Sequence, residues 1–218
     1  MNLHDLDAII FDFDGVLVES VDIKTQAFAA LYADHGEKVV AQVEDYHLRH
    51  GGVSRFDKFR YFQIEILGRP PLDDREVSDL AGRFSKLVVE RVVSAPMVAG
   101  AQKFLDHCRD RVPLFIVSGT PTSELDEILE RRKLRQYFEG IRGSPGTKAE
   151  NISELLLEHD INASRCVMIG DATADYEGAR SNCVKFLGRV TENNENLFPD
   201  EVITFEDFSR LPETWYQT

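Results

Sequence analysis

Ile9-Ile10-Phe11-Asp12-Phe13-Asp14-Gly15-Val16 constrains this chain more than any other stretch. Its first half is the unbroken apolar run of a strand covered on both faces. The run stops on two carboxylates two residues apart, followed at once by a glycine. Side chains at i and i+2 leave a strand on the same face. Asp12 and Asp14 are therefore expected to address one pocket, although a turn at Gly15 can redirect the second. Unpaired carboxylates at a buried strand end are costly, so a metal, a cation or a chemical task should accompany them. The spacing also fits the opening of a calcium loop. That loop needs further oxygen ligands at alternate positions and a closing Glu, whereas Val16, Val18 and Ser20 follow here.

Beyond this stretch the apolar pattern changes period. Helices are expected over about 22–32, 41–48 and 74–93, with Gly36 ending the first and Pro96 the last. Phe56, Phe59, Phe62 and Ile66 recur at helical spacing, and so do Val77, Leu80, Phe84, Leu87, Val88 and Arg91. After Pro96 short apolar runs alternate with helical segments. Expected strands are 112–117, 140–143, 166–169, 184–187 and 201–205, with a loosely specified tail after the last. Such alternation means βαβ units and a parallel sheet. The expected fold is an α/β doubly wound parallel-sheet core, Rossmann-like, built from 1–17 and 96–218. A helical cap domain, 18–95, is inserted after the first strand.

Composition excludes several classes of partner. Apolar residues make up 43% and charged residues 29%, ordinary for a globular chain. A net charge of −13 disfavours nucleic acid or an anionic membrane. No apolar run approaches bilayer thickness, and no basic segment precedes the first apolar run. Cys108, Cys166 and Cys183 have neither CxxC nor zinc spacing. The expectation is a cytoplasmic protein with reduced thiols.

Ligands of open α/β sheets bind beyond the carboxyl ends of the strands. Four segments become polar at such ends: Asp12 and Asp14; Ser118-Gly119-Thr120; Lys148 at the head of a helix; and Asp171 with Asp175. In order and spacing they resemble the four motifs of the haloacid dehalogenase superfamily, in its phosphoglycolate phosphatase and β-phosphoglucomutase-like branch with a helical cap. Asp12-Phe13-Asp14-Gly15-Val16 matches the first motif, Ser118 the second, Lys148 the third, and Gly170-Asp171-Ala172-Thr173-Ala174-Asp175 the fourth.

The resemblance implies a Mg²⁺-dependent phosphatase of a small phosphorylated metabolite, a sugar phosphate or a phosphoglycolate-like acid. Asp12 would be the nucleophile, forming an aspartyl-phosphate. Asp12, the backbone carbonyl of Asp14 and Asp171 would hold the metal, and Asp175 would orient Lys148 or a metal-bound water. Ser118, Gly119, Thr120 and Lys148 would bind phosphoryl oxygens. The residue types point the same way. At 4 Å and an effective dielectric near 20, each like-charge pair costs about 4 kcal/mol. Lys148 alone cannot offset several such pairs, and a dication can. A carboxyl at Asp14 can protonate a leaving oxygen and then activate water; the dehalogenases and phosphonatases that the chain resembles lack an acid at this position, so the resemblance implies C–O–P substrates rather than halides or phosphonates.

Arg49, Arg55, Lys58 and Arg60 form a local reversal of charge inside the expected cap. With the Gly51-Gly52 turn, Arg55 and Lys58 are candidates to reach the substrate, His50 with them; the alternative is a solvated helix face. His47 and His50 lack partners at metal-ligand spacing, so they are not expected to hold an ion. Thr120 serves equally well as a helix cap before Pro121. Two other functions share these motifs: a phosphomutase using the same aspartyl-phosphate, and a binding protein that keeps the fold without turnover.

Overall fold

The computed structural model describes residues 3–192, 195–211 and 215. Six strands form one parallel sheet: β1 (Ala8–Phe11), β2 (Leu114–Pro121), β3 (Gly140–Ser144), β4 (Cys166–Gly170), β5 (Lys185–Arg189) and β6 (Ile203–Phe205). Their order is β3-β2-β1-β4-β5-β6, with Ile10 of β1 level with Phe115 of β2 and Met168 of β4. This is the doubly wound order, whose crevice opens where the winding reverses beside β1. Alternate residues of the central strands enter separate cores. Ile9, Phe11, Ile116, Val167 and Ile169 share one, while Ala8, Ile10, Phe115, Val117 and Met168 share the other. Helices α5 (Ala101–Cys108) and α6 (Thr122–Arg131) cover the first face; α7 (Lys148–Glu158) and α8 (Thr173–Ser181) cover the second.

Between β1 and β2 run α1 (Val21–Tyr32), α2 (Glu37–Arg49), α3 (Arg55–Tyr61) with a wider turn over Phe62–Ile66, and α4 (Asp74–Ser94). The ring of Phe28 unites them, packing 5.6 Å from Phe59, 5.6 Å from Phe62 and 4.4 Å from Phe84. Asp73 starts α4 by a reciprocal cap with Glu76. The buried stripe of α4 is Val77, Ala81, Phe84, Val88 and Val92. Leu87, expected in that stripe, is 39% exposed: it stands one position, about 100° of helix, away from the buried line that runs through Phe84 and Val88. The outgoing and returning chains are paired, Val98 N–H donating to Leu17 at 3.0 Å and Glu19 N–H to Pro96 at 3.0 Å.

Several expected boundaries move. Helix α2 begins at Glu37, directly after Gly36, rather than near 41. Helix α6 begins at Thr122, so Thr120 belongs to β2 and does not cap the helix. The segment after β6 is not loose throughout: Phe208 and Trp215 are buried and pack on Phe104 at 5.1 and 5.8 Å.

Candidate active site

Strand β1 delivers Asp12 to the rim, where its N–H donates to Ile169 of β4 at 2.9 Å. The chain then turns sharply. Gly15 has φ +74°, and a Cβ there would strike the Asp171 carboxylate. Only glycine meets both demands. Arg189, at the end of β5, donates to the Gly15 carbonyl at 2.7 Å and pairs with Glu19 at 2.7 Å. This brace is not legible in the sequence, because 174 residues separate Arg189 from Gly15.

Lys148 sits in the first turn of α7, set there by a reciprocal cap between Thr147 and Glu150. Its Nζ lies 2.8 Å from Asp12 Oδ1 and 2.6 Å from Asp175 Oδ1, and donates to the Val117 carbonyl at 2.7 Å. One ammonium thus ties the end of β1, β2 and the first turn of α8 together. Asp175 Oδ2 also accepts from Ala172 N–H at 3.1 Å, so Asp175 both caps α8 and pairs with Lys148. Every hydrogen bond and ion pair of the Asp12 carboxylate among the described residues falls on Oδ1, its second bond coming from Phe13 N–H at 2.7 Å.

The balance of charge is unequal. Ligand oxygens of Asp12, Asp171 and Asp175 lie within 4.8 Å of one another, against the single charge of Lys148. Burial, then the field of Asp175 and Asp14, pushes the Asp12 carboxyl up to about 6 despite Lys148. Burial, with Asp12 and Asp175, raises Asp171 well above the carboxylate range. Lys148 is raised, the pull of Asp12 and Asp175 outweighing its own desolvation. A compact, partly uncompensated set of hard oxygens fits a small divalent cation.

Asp14 takes a different position from the one expected of a resting acid. Its carboxylate pairs with Lys24 of α1 and accepts from Ser20 at 2.6 Å and Thr120 at 2.8 Å. Burial alone would raise it, but Lys24, with the hydrogen bonds of Ser20 and Thr120, holds it below the usual range. Asp14 is therefore ionised at rest. Lys24 was missed in the sequence, where it reads as one polar residue of an amphipathic helix. Ser118 is 1% exposed, its Oγ accepting from Thr120 N–H at 3.2 Å. Gly119 lies so close to the inserted helices that a Cβ would sit 2.5 Å from the Gly52 carbonyl.

A cavity of about 360 Å³ opens over these residues, walled on its far side by Lys24, His47, Arg55 and Lys58. Three expectations for that wall change. Arg55 is not a free guanidinium: Glu124 of α6 grips it through two bonds of 2.5 and 2.8 Å, and Ser85 accepts a third at 2.9 Å. His50 lies outside the cavity lining, exposed and stacked on Tyr46 at 3.8 Å, with Nδ1 facing its own helix's carbonyl. His47, for which the sequence suggested no contact with substrate, lines the cavity instead. Lys58 does line it, at 2% exposure.

Comparison with known proteins returns the same family from several directions. Residues 6–182 match the model described as haloacid dehalogenase-like hydrolase. The 6-phosphogluconate phosphatase of Escherichia coli is 20% identical over 96% of this chain and 95% of its own. A phosphorylated carbohydrates phosphatase of Thermotoga maritima is 28% identical over 81% of each chain. Among solved structures, β-phosphoglucomutase of Clostridium difficile superposes with a TM-score of 0.76, at 16% identity, over 95% of this chain and 93% of its own. That last likeness is one of fold. A match spanning most of the sheet and every segment of the rim settles the lineage: the chain belongs to the haloacid dehalogenase-like hydrolase family.

Proposed function

We propose that this protein is a Mg²⁺-dependent phosphatase of small phosphorylated metabolites, with Asp12 as its nucleophile. The observation that carries the reading is the buried group of Asp12, Asp171 and Asp175 gathered around Lys148. The names of the two curated relatives, phosphatases of 6-phosphogluconate and of phosphorylated carbohydrates, support it.

Asp12, the backbone carbonyl of Asp14 and Asp171 would hold the ion, which when bound supplies the positive charge that lets carboxylates share a pocket with a phosphate dianion. Ser118, the backbone N–H of Gly119, Thr120 and Lys148 hold the phosphoryl oxygens. The unbonded oxygen of Asp12 attacks phosphorus as the ester P–O bond breaks. Once Lys24 and Thr120 release its carboxylate, Asp14 takes up a proton from solvent and gives it to the leaving oxygen, then takes a proton from the water that cleaves the aspartyl-phosphate. Asp175 keeps Lys148 aimed at Asp12. Residues 18–95 act as a cap domain, and the paired linkers at Leu17–Glu19 and Pro96–Val98 act as its hinge. The enzyme works in the cytoplasm, in keeping with buried thiols at Cys108 and Cys166.

Phosphate release from p-nitrophenyl phosphate tests the reading. Turnover with Mg²⁺, its loss in EDTA and its loss in Asp12→Asn are the expected results. Silence across a broad panel of phosphate esters, with the protein folded and Mg²⁺ bound, overturns it. Free phosphate formed without a bisphosphate intermediate separates hydrolysis from transfer to a second hydroxyl.

A further inference from the structure

Lys58 of α3 and His47 of α2 meet on the wall of the cavity opposite the catalytic rim. The Lys58 ammonium donates to His47 Nδ1 at 2.8 Å. Phe28 backs both groups, its ring 4.8 Å from the imidazole and 5.8 Å below the ammonium. The other cations facing this cavity each have a carboxylate of their own: Lys24 has Asp14, Arg49 has Asp45, Arg55 has Glu124 and Arg189 has Glu19. Among the described residues Lys58 has none within ion-pair distance; its close polar partner is the imidazole.

The donors of this pair are also in excess. An Nδ1 that accepts from Lys58 places the ring proton on Nε2. That Nε2 is buried and meets no acceptor among the described residues. The ammonium has three hydrogens and His47 takes one. Burial, reinforced by Lys24, pushes the Lys58 ammonium down to about 7, the response of a charge without a counterion. Buried donors left unmade are costly, so a wall like this awaits an acceptor.

We infer that the His47–Lys58 pair is a carboxylate subsite, and that the substrate is the phosphate monoester of a short hydroxy acid, its phosphate beside Asp12 and its carboxylate against this pair. The inference rests on the phosphatase reading of the site. A carboxylate brings two acceptor oxygens and one negative charge, matching one ring N–H and one ammonium. A neutral hydroxyl leaves the charge of Lys58 uncompensated in an apolar setting. The acid is short because a single cavity of about 360 Å³ holds both this pair and the rim carboxylates Asp12, Asp14 and Asp171. Arg55 does not compete for the carboxylate, because Glu124 already neutralises it.

D-3-phosphoglycerate and sn-glycerol 1-phosphate share a three-carbon skeleton and the configuration at C2, and differ in carboxylate against hydroxymethyl. The wild-type kcat/KM should favour the acid by roughly 10- to 100-fold, the value of a charge-assisted hydrogen bond. Lys58→Gln should collapse that ratio to within about threefold, and Lys58→Arg, which keeps the cation, should retain most of it. Calorimetric titration of wild type and Lys58→Gln with the same two esters reads the preference without turnover, and thermal melts confirm the fold of each variant. Equal handling of the two esters by the wild type overturns the inference. So does a Lys58→Gln variant that weakens both alike, because Lys58 then serves the phosphoryl group or the fold. Silence of the wild type across the panel of phosphate esters refutes the phosphatase reading instead, while the calorimetric comparison still decides the subsite.

Discussion

Asp12→Asn separates the catalytic burden of the acidic cluster from its structural one. The Asp12 carboxyl is 3% exposed and pushed up to about 6 from 3.8, a net effect that already includes the attraction of Lys148. A shift of this size means that ionising Asp12 at neutral pH costs the metal-free fold about 3 kcal/mol. Asparagine keeps the shape and removes the charge. In EDTA at pH 7.5 the variant should therefore be more stable than wild type by about 3 kcal/mol, which is about 6–12 °C in Tm for a chain of this size. Phosphate release should be abolished in the same protein. Added Mg²⁺ should raise the wild-type Tm more than the variant's, because the ion relieves a repulsion the variant no longer has. Circular dichroism melts with and without Mg²⁺, alongside a phosphate-release assay, read all three. A folded variant whose metal-free Tm falls below that of wild type would refute the electrostatic argument, and near-normal turnover would refute the nucleophile.

The same shift fixes a pH window. A folded-state carboxyl raised from 3.8 to about 6 favours the protonated fold, so its cost is absent below about pH 4 and complete above about pH 6. The stability difference between wild type and Asp12→Asn in EDTA should grow across that window, and a difference flat from pH 4 to pH 7 in urea titrations would contradict it. Gly15→Ala forces a side chain onto the Asp171 carboxylate at a positive φ; turnover should fall by roughly 100-fold or more, as for a misplaced reacting group, with Mg²⁺ binding weakened in parallel by calorimetry. Removing Glu124 as Glu124→Ala strands the buried Arg55 charge and should cost about 3–5 kcal/mol in urea unfolding, whereas Arg55→Met with Glu124→Leu should recover most of it. If Arg55 were a substrate contact on an exposed face, Glu124→Ala would leave stability unchanged.

What the sequence made legible follows from the range of each interaction. Strand ends and rim residues stood out because a buried parallel strand must be apolar until it reaches the site: Asp12 and Asp171 mark where β1 and β4 run out, and Ser118 marks where the apolar run of β2 stops, although the strand itself continues to Pro121. Helix α4 was readable from Asp73 and its periodic stripe, but the tilt of that stripe was not: burying Ala81 in preference to Leu87 depends on the room left by Phe28, Phe59 and Phe84. The far wall of the cavity was the least legible part. Basic residues 49–60 announced positive charge over the site, yet which of them keeps its charge depends on Glu124, 69 residues beyond Arg55. His47 and His50 looked equivalent in sequence. The turn of α2 carries one under Phe28 and leaves the other on Tyr46 in solvent.

Acid-quenching the enzyme during turnover of a good phosphate ester, followed by peptide mapping, is the most direct test of the central claim. The mass of one phosphoryl group is expected on the peptide that contains Asp12, and on no other, and absent from Asp12→Asn. A phosphoryl group trapped on a different side chain, or none at any quench time in a protein that turns over, would contradict it.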